Sequence, residues 1–172
     1  PGGWIARTDP TGMKLELLCG GLRNPYDIAF NLDGELFTSD ADSEADMGTH
    51  WYRPARVNHI VSGGEYGWRC DAEPWVRYGK WPDHYPDSVD SVVDIGRGSP
   101  AGITFGTGAR FPDRYQRALY TCDWQTATIY AAHLQHDGAS YRGTLEPFLT
   151  GRGLPLTDLV VHPDGAMYFT IG

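Results

Sequence analysis

The chain has 172 residues, 41% of them apolar, with 22 glycines, 12 prolines and a formal charge of −8. That composition suits one folded domain with a buried core. The lack of any lysine- and arginine-rich cluster argues against a nucleic-acid binder, which needs a basic stripe to release counterions. No apolar run approaches the roughly 20 residues of a membrane span, so none is expected.

In chain order, Trp4-Ile5-Ala6-Arg7 turns at Gly12 towards Leu17-Leu18 and reads as a hairpin. A second hairpin runs from Asp27-Ile28-Ala29-Phe30 through Asp33-Gly34 to Leu36-Phe37, its glycine supplying the positive φ of a tight turn. The stretch from about 39 to 99 is rich in Trp, Tyr, Pro, Gly and Asp and has no helical or alternating period. It reads as a long loop-rich insertion within a single domain spanning residues 1–172.

After it, Gly102-Ile103-Thr104-Phe105, with the return strand Ala118-Leu119-Tyr120-Thr121, is a looser copy of the second hairpin. Ile129-Tyr130-Ala131-Ala132, turning at Gly138 towards Phe148-Leu149, repeats the first hairpin. Asp158-Leu159-Val160-Val161, Asp164-Gly165 and Met167-Tyr168 repeat the second. Inner hairpin followed by outer hairpin is the strand order of a four-stranded propeller blade. The fold class expected is all-β, a partial β-propeller of about three blades. Open blades leave apolar edges, so another copy or a missing chain segment is expected to complete the ring.

Asp40, Asp42, Glu44 and Asp46 place carboxylates at every other position directly after a strand. Alternating oxygen donors suit calcium, which takes six to eight oxygens in an irregular loop. The competing reading is a solvated acidic loop whose repulsion is relieved by Arg53 or Arg56. His59 is the histidine to watch as a base or ligand. Strand alternation sets it and Val57 on one face, with Arg56 and Asn58 on the other, and a hydrogen-bonded structural role competes with chemistry there.

Trp51, Tyr52, Trp68, Trp75, Tyr78, Trp81, Tyr85 and Trp124 lie in or near the long stretch, where they pack loops or meet sugars. Cys19, Cys70 and Cys122 fit no metal or haem spacing and read as small buried hydrophobes.

Several linked segments carry a family resemblance. They are Gly21-Leu22-Arg23-Asn24-Pro25-Tyr26-Asp27-Ile28-Ala29-Phe30, Val57-Asn58-His59-Ile60, Gly64-Glu65-Tyr66-Gly67-Trp68, Ser99-Pro100-Ala101-Gly102, Arg110-Phe111-Pro112 and Pro163-Asp164-Gly165-Ala166-Met167-Tyr168. In order and spacing the chain resembles the soluble quinoprotein glucose and sorbosone dehydrogenases. The resemblance implies a six-bladed, exported propeller with pyrroloquinoline quinone and calcium above the channel and a histidine base. Arg23 and Asn24 match the turn that approaches the quinone in that family; alternatively the turn serves only the backbone.

The departures are as informative. Tyr26 and Asp27 stand where Gln and Gly are expected, Gln125 where Lys is expected, and Pro155-Leu156-Thr157-Asp158 where Arg-x-Arg-Asp is expected. A tricarboxylated quinone would be poorly neutralised by Arg23 alone, so weak or absent quinone binding is expected. Three readings follow: part of an exported sugar dehydrogenase-like enzyme, a non-catalytic propeller module that binds a carbohydrate, another small polar ligand or a protein, and a calcium-dependent lactonase-like hydrolase.

Overall fold

A computed structural model describes residues 2–41, 54–69, 79–80 and 87–172. The strands in chain order are β1 (Gly3–Thr8), β2 (Leu15–Leu22), β3 (Pro25–Phe30), β4 (Leu36–Asp40), β5 (Ala55–Ile60), β6 (Gly64–Glu65), β7 (Trp68–Arg69), β8 (Gly79–Lys80), β9 (Val93–Gly96) and β10 (Pro100–Phe105). A single turn of helix, α1 (Asp113–Gln116), precedes β11 (Leu119–Asp123), β12 (Thr128–Asp137), β13 (Ser140–Thr150), β14 (Leu156–Val161) and β15 (Met167–Ile171).

The sheets order as β3-β4-β5-β9 and β10-β11-β12-β13, two complete blades. They are flanked by β1-β2, the outer half of a preceding blade, to which β6 adds in parallel, and by β14-β15, the inner half of a following one. The chain is therefore a partial β-propeller of four-stranded antiparallel blades, about three in all.

Turn chemistry builds the repeat. Gly34 and Gly165 sit at φ of 83° and 85°. Gly34 N–H donates to Asn31 O at 3.1 Å and Gly165 N–H to His162 O at 2.8 Å, so the two Asp-Gly turns occupy equivalent places. Both need the left-handed backbone that glycine adopts without penalty. Gly12 and Gly138, also at positive φ, close the two outer hairpins.

The stretch read as one insertion contributes two blade strands, β5 and β9. Neither face of β5 is solvated: Arg56, Asn58 and His59 are all buried alongside Ala55 and Val57. Val57 and His59 do share one face, as alternation predicts. Val57 belongs to the core with Phe37, Ile103, Phe105 and Leu119, while Arg56 reaches Tyr66 and Asp40.

The core is divided into joints between blades. Ile5, Cys19, Leu22, Leu36, Ile60 and Tyr66 fill the first. Phe37, Val57, Ile103, Phe105, Leu119 and Ala132 fill the second, and Ala101, Tyr120, Cys122, Ile129, Leu156 and Leu159 the third. Each fully buried Leu or Phe contributes about 1.5–3 kcal/mol relative to exposure, so these joints hold the blades face to face. Cys19 and Cys122 are free buried thiols, as the sequence suggests; burial, with Asp158 and Asp123 adding to it, pushes the Cys122 thiol up to about 12. Cys70 lies outside the described residues. No helix among the described residues is long and apolar enough to cross a membrane.

Candidate functional site at the strand-entrance face

The inner strands β3 and β10 both enter with proline, and each proline faces an aspartate across the ladder: Pro25 faces Asp40, and Pro100 faces Asp123. Proline lacks an N–H, so it suits the first position of a strand. The aspartate opposite it then reaches the turn that precedes the strand. Asp40 accepts hydrogen bonds from Arg23 N–H at 3.0 Å and Asn24 N–H at 2.7 Å, holding the Arg23-Asn24 turn by its backbone.

Asp40 is fully buried, and its counter-charge is Arg56, also buried, whose Nη2 lies 3.4 Å from Asp40 Oδ2 and donates to Tyr66 O at 2.9 Å. Tyr66 completes the cluster by donating its hydroxyl to His59 O and accepting from Val61 N–H at 3.1 Å. Burial pushes the Tyr66 phenol up to about 12. Arg56 Nε and Nη1 and both amide atoms of Asn58 have no hydrogen-bond partner among the described residues.

The third blade repeats the arrangement with different side chains. Asp123 is buried and accepts from Thr126 N–H at 2.8 Å. A Cβ at Gly98, the counterpart of Arg23, would lie 1.7 Å from Asp123 Oδ2. The next residue after the aspartate, Trp124, donates its indole N–H to Gly172 O at 2.8 Å and its backbone N–H to Ser99 O at 3.0 Å, yet the residue is 50% exposed. A ring tied at its nitrogen and open to solvent is a ready stacking platform. In the sequence, Asp123-Trp124 shows only as a reversed propeller dipeptide. The signal that finds it is the pairing of Pro25 with Asp40 and of Pro100 with Asp123.

His59 is not brought together with Arg23, Asn24 and Asp40. On β5, Arg56 stands opposite Asp40 and His59 opposite Phe37, three residues or about 10 Å further along the strand. There its ring nitrogens meet Ser140 Oγ at 3.1 Å and Glu35 Oε2 at 3.0 Å. The ring stacks on Phe37 and meets Tyr141 edge-on, so it fastens the second blade to the third. Asp42, Glu44, Asp46 and Arg53 lie outside the described residues, as do His50 and His84 and the aromatics Trp51, Tyr52, Trp75, Tyr78, Trp81 and Tyr85. Among the described residues no cluster of three or more His, Cys, Asp or Glu side chains could hold a metal.

The positions where the resemblance expects cations are uncharged in the structure as well. Gln125 is exposed beside Trp124. Pro155 O accepts from Gly172 N–H, and Thr157 Oγ1 lies 2.8 Å from Thr170 Oγ1. Arg56 is committed to Asp40 and Tyr66. This set does not fit a tricarboxylated quinone held in the manner the resemblance implies.

Solved structures similar to this chain include several sugar dehydrogenases. The chain matches an assigned oxidoreductase (glucose dehydrogenase) of Thermus thermophilus at 30% identity and a TM-score of 0.68, covering 91% of this chain and 41% of that one. It matches the PQQ-bound form of an aldose sugar dehydrogenase from Streptomyces coelicolor at 19% identity and a TM-score of 0.64, covering 92% and 42%. The apo form of a soluble aldose sugar dehydrogenase from Escherichia coli matches at 21% identity and 0.62, covering 93% and 45%. No protein-family model and no curated protein matches the chain.

The fold is thus that of a partial propeller of the soluble glucose and aldose sugar dehydrogenase kind, as the sequence motifs indicate. The chain spans about two fifths of the length of these structures.

Proposed function

We propose that the chain is part of an exported sugar dehydrogenase-like propeller whose strand-entrance face receives a small polar ligand, an aldose sugar being the class that suits it. The observation that carries this reading is the pairing of a clamped turn with a fixed aromatic: Arg23 and Asn24 held on Asp40, and Trp124 tied at its indole nitrogen. Rings with exposed faces stack on the apolar faces of sugars, and a backbone turn fixed by a buried carboxylate keeps neighbouring polar groups in register.

Calcium at the acidic loop belongs to the same proposal. Asp40 anchors the start of that loop through Arg23 and Asn24, and Asp42, Glu44 and Asp46 would supply further oxygens. The fold likeness to sugar dehydrogenases supports the reading over a lactonase. The uncharged Gln125, Pro155 and Thr157 favour a ligand-binding face over a quinone-loaded one.

The test is a titration with D-glucose and with a non-sugar polyol, followed through the Trp124 indole N–H by NMR. A saturable shift of that signal with glucose is expected, and Trp124→Ala should weaken binding by roughly tenfold, the loss of one stacking contact. Unmoved Trp124 and Arg23 signals at saturating sugar would remove the sugar from this face.

A further inference from the structure

At the turn end of the joint between the second and third blades, three side chains from distant segments meet in a row. Glu35 follows the Gly34 turn, His59 lies near the end of β5, and Ser140 opens β13 just after the Gly138 turn. Ser140 Oγ stands 3.1 Å from His59 Nδ1, and Glu35 Oε2 stands 3.0 Å from His59 Nε2. An ionised carboxylate only accepts hydrogen bonds, so in the neutral ring Glu35 takes the N–H of Nε2 and leaves Nδ1 bare. A bare Nδ1 only accepts, and the hydrogen it accepts is that of the Ser140 hydroxyl.

The row has the order hydroxyl, base, orienting carboxylate that activates a serine for nucleophilic attack. The two ring nitrogens exchange the places they hold in the commoner arrangement, and each still performs its task. The imidazole is held still: His59 is 3% exposed, stacked on Phe37 at 5.1 Å and met edge-on by Tyr141. Ser140, by contrast, is only partly buried, so a reactant can reach it. Fastening two blades needs a hydrogen bond to His59 but does not need a reachable serine on a sealed base. Tyr141, the next residue, also lines a cavity of about 300 Å³ whose polar donors are Arg117, Gln135 and Asn31. That volume suits a small acyl group, and those donors suit its carbonyl oxygen.

We propose that Ser140 and His59, positioned by Glu35, form a second site that hydrolyses small carboxylic esters. Ser140 Oγ bonds to the acyl carbon as its proton passes to His59 Nδ1. The ester C–O bond breaks, and the departing alcohol takes that proton. Water then attacks the acyl-serine, again through Nδ1, which releases the acid and returns the proton to Ser140. Glu35 stays ionised throughout and faces the imidazolium formed in each step. The site uses no residue of the acidic loop or of the strand-entrance face, so it stands or falls separately from the sugar reading.

The experiment mixes the full chain with p-nitrophenyl acetate, follows p-nitrophenolate release, and maps acetylation by peptide mass after acid quench. Acetyl is expected on Ser140 and not on Ser62, an exposed serine for which the structure shows no histidine partner. This comparison lies within the wild-type chain and needs no variant. Ser140→Ala should abolish the turnover. Glu35→Gln keeps an acceptor for Nε2–H but loses the charge, so kcat should fall at least about tenfold with KM unchanged, a split that a merely structural role would not produce. Both side chains reach solvent, so these variants should melt with the wild type. An unmodified Ser140, acetylation of Ser62 at the same rate, or wild-type turnover in Glu35→Gln overturns the proposal.

Discussion

Asp40→Ala is expected to lower the unfolding free energy by about 3–5 kcal/mol, the cost of breaking a buried ion pair by removing one partner. The loss has two parts. Arg56, 1% exposed, keeps only Tyr66 O as an acceptor among the described residues, and the amides of Arg23 and Asn24 lose the carboxylate that held them. Chemical denaturation of the wild type and the variant measures it. A companion variant, Arg56→Met, removes the charge left stranded by the first, so the double variant should be more stable than Asp40→Ala alone. A double variant as unstable as the sum of the singles would show that Asp40 and Arg56 are not coupled.

Gly102→Ala is the second large effect. The added methyl group would meet Asp158 Cα at 2.5 Å and Thr157 O at 3.1 Å, and both are backbone atoms that cannot swing aside. Forcing a methyl into a packed joint costs typically about 1–3 kcal/mol, and the contact here lies at the severe end. Gly20→Ala is the control, since a Cβ there meets nothing within 4 Å. The two variants differ only in what the methyl group touches. Equal melting temperatures for both would mean that β10 and β14 do not pack as described.

The parts of the fold legible in the sequence are those written in adjacent residues. Asp33-Gly34 and Asp164-Gly165 announce their turns because a two-residue turn needs a positive φ, and the short apolar runs beside them announce strands. What stays hidden is written in partners far along the chain. The alternation of β5 is legible, but the burial of Arg56, Asn58 and His59 on it is not, because the groups that receive Arg56 and His59, namely Asp40, Glu35 and Ser140, lie on other segments.

The same holds for the site. Spacing alone reads the acidic run as a set of alternating oxygen donors, whereas Asp40 holds the Arg23-Asn24 turn and faces Arg56, a role set by strand pairing. The Asp27 bond to Ile103 joins residues 76 positions apart, and nothing in the local pattern reports it. Aspartate at 27 is, in the sequence, a plain departure from the glycine expected there. In the joint it is the acceptor that pins one blade to the next.

The central claim is that this sugar dehydrogenase-like face, among the described residues, carries no cation at Gln125, Pro155 or Thr157 to hold a quinone, while it keeps its clamped entrance turn. The most direct test is an absorbance titration of the purified chain with pyrroloquinoline quinone, with and without calcium, followed by a dye-reduction assay with glucose. Weak or unsaturable binding, with no glucose-dependent dye reduction, is the predicted result. Tight stoichiometric binding with glucose-dependent reduction would contradict it, since Gln125, Pro155 and Thr157 would then be no obstacle to the cofactor.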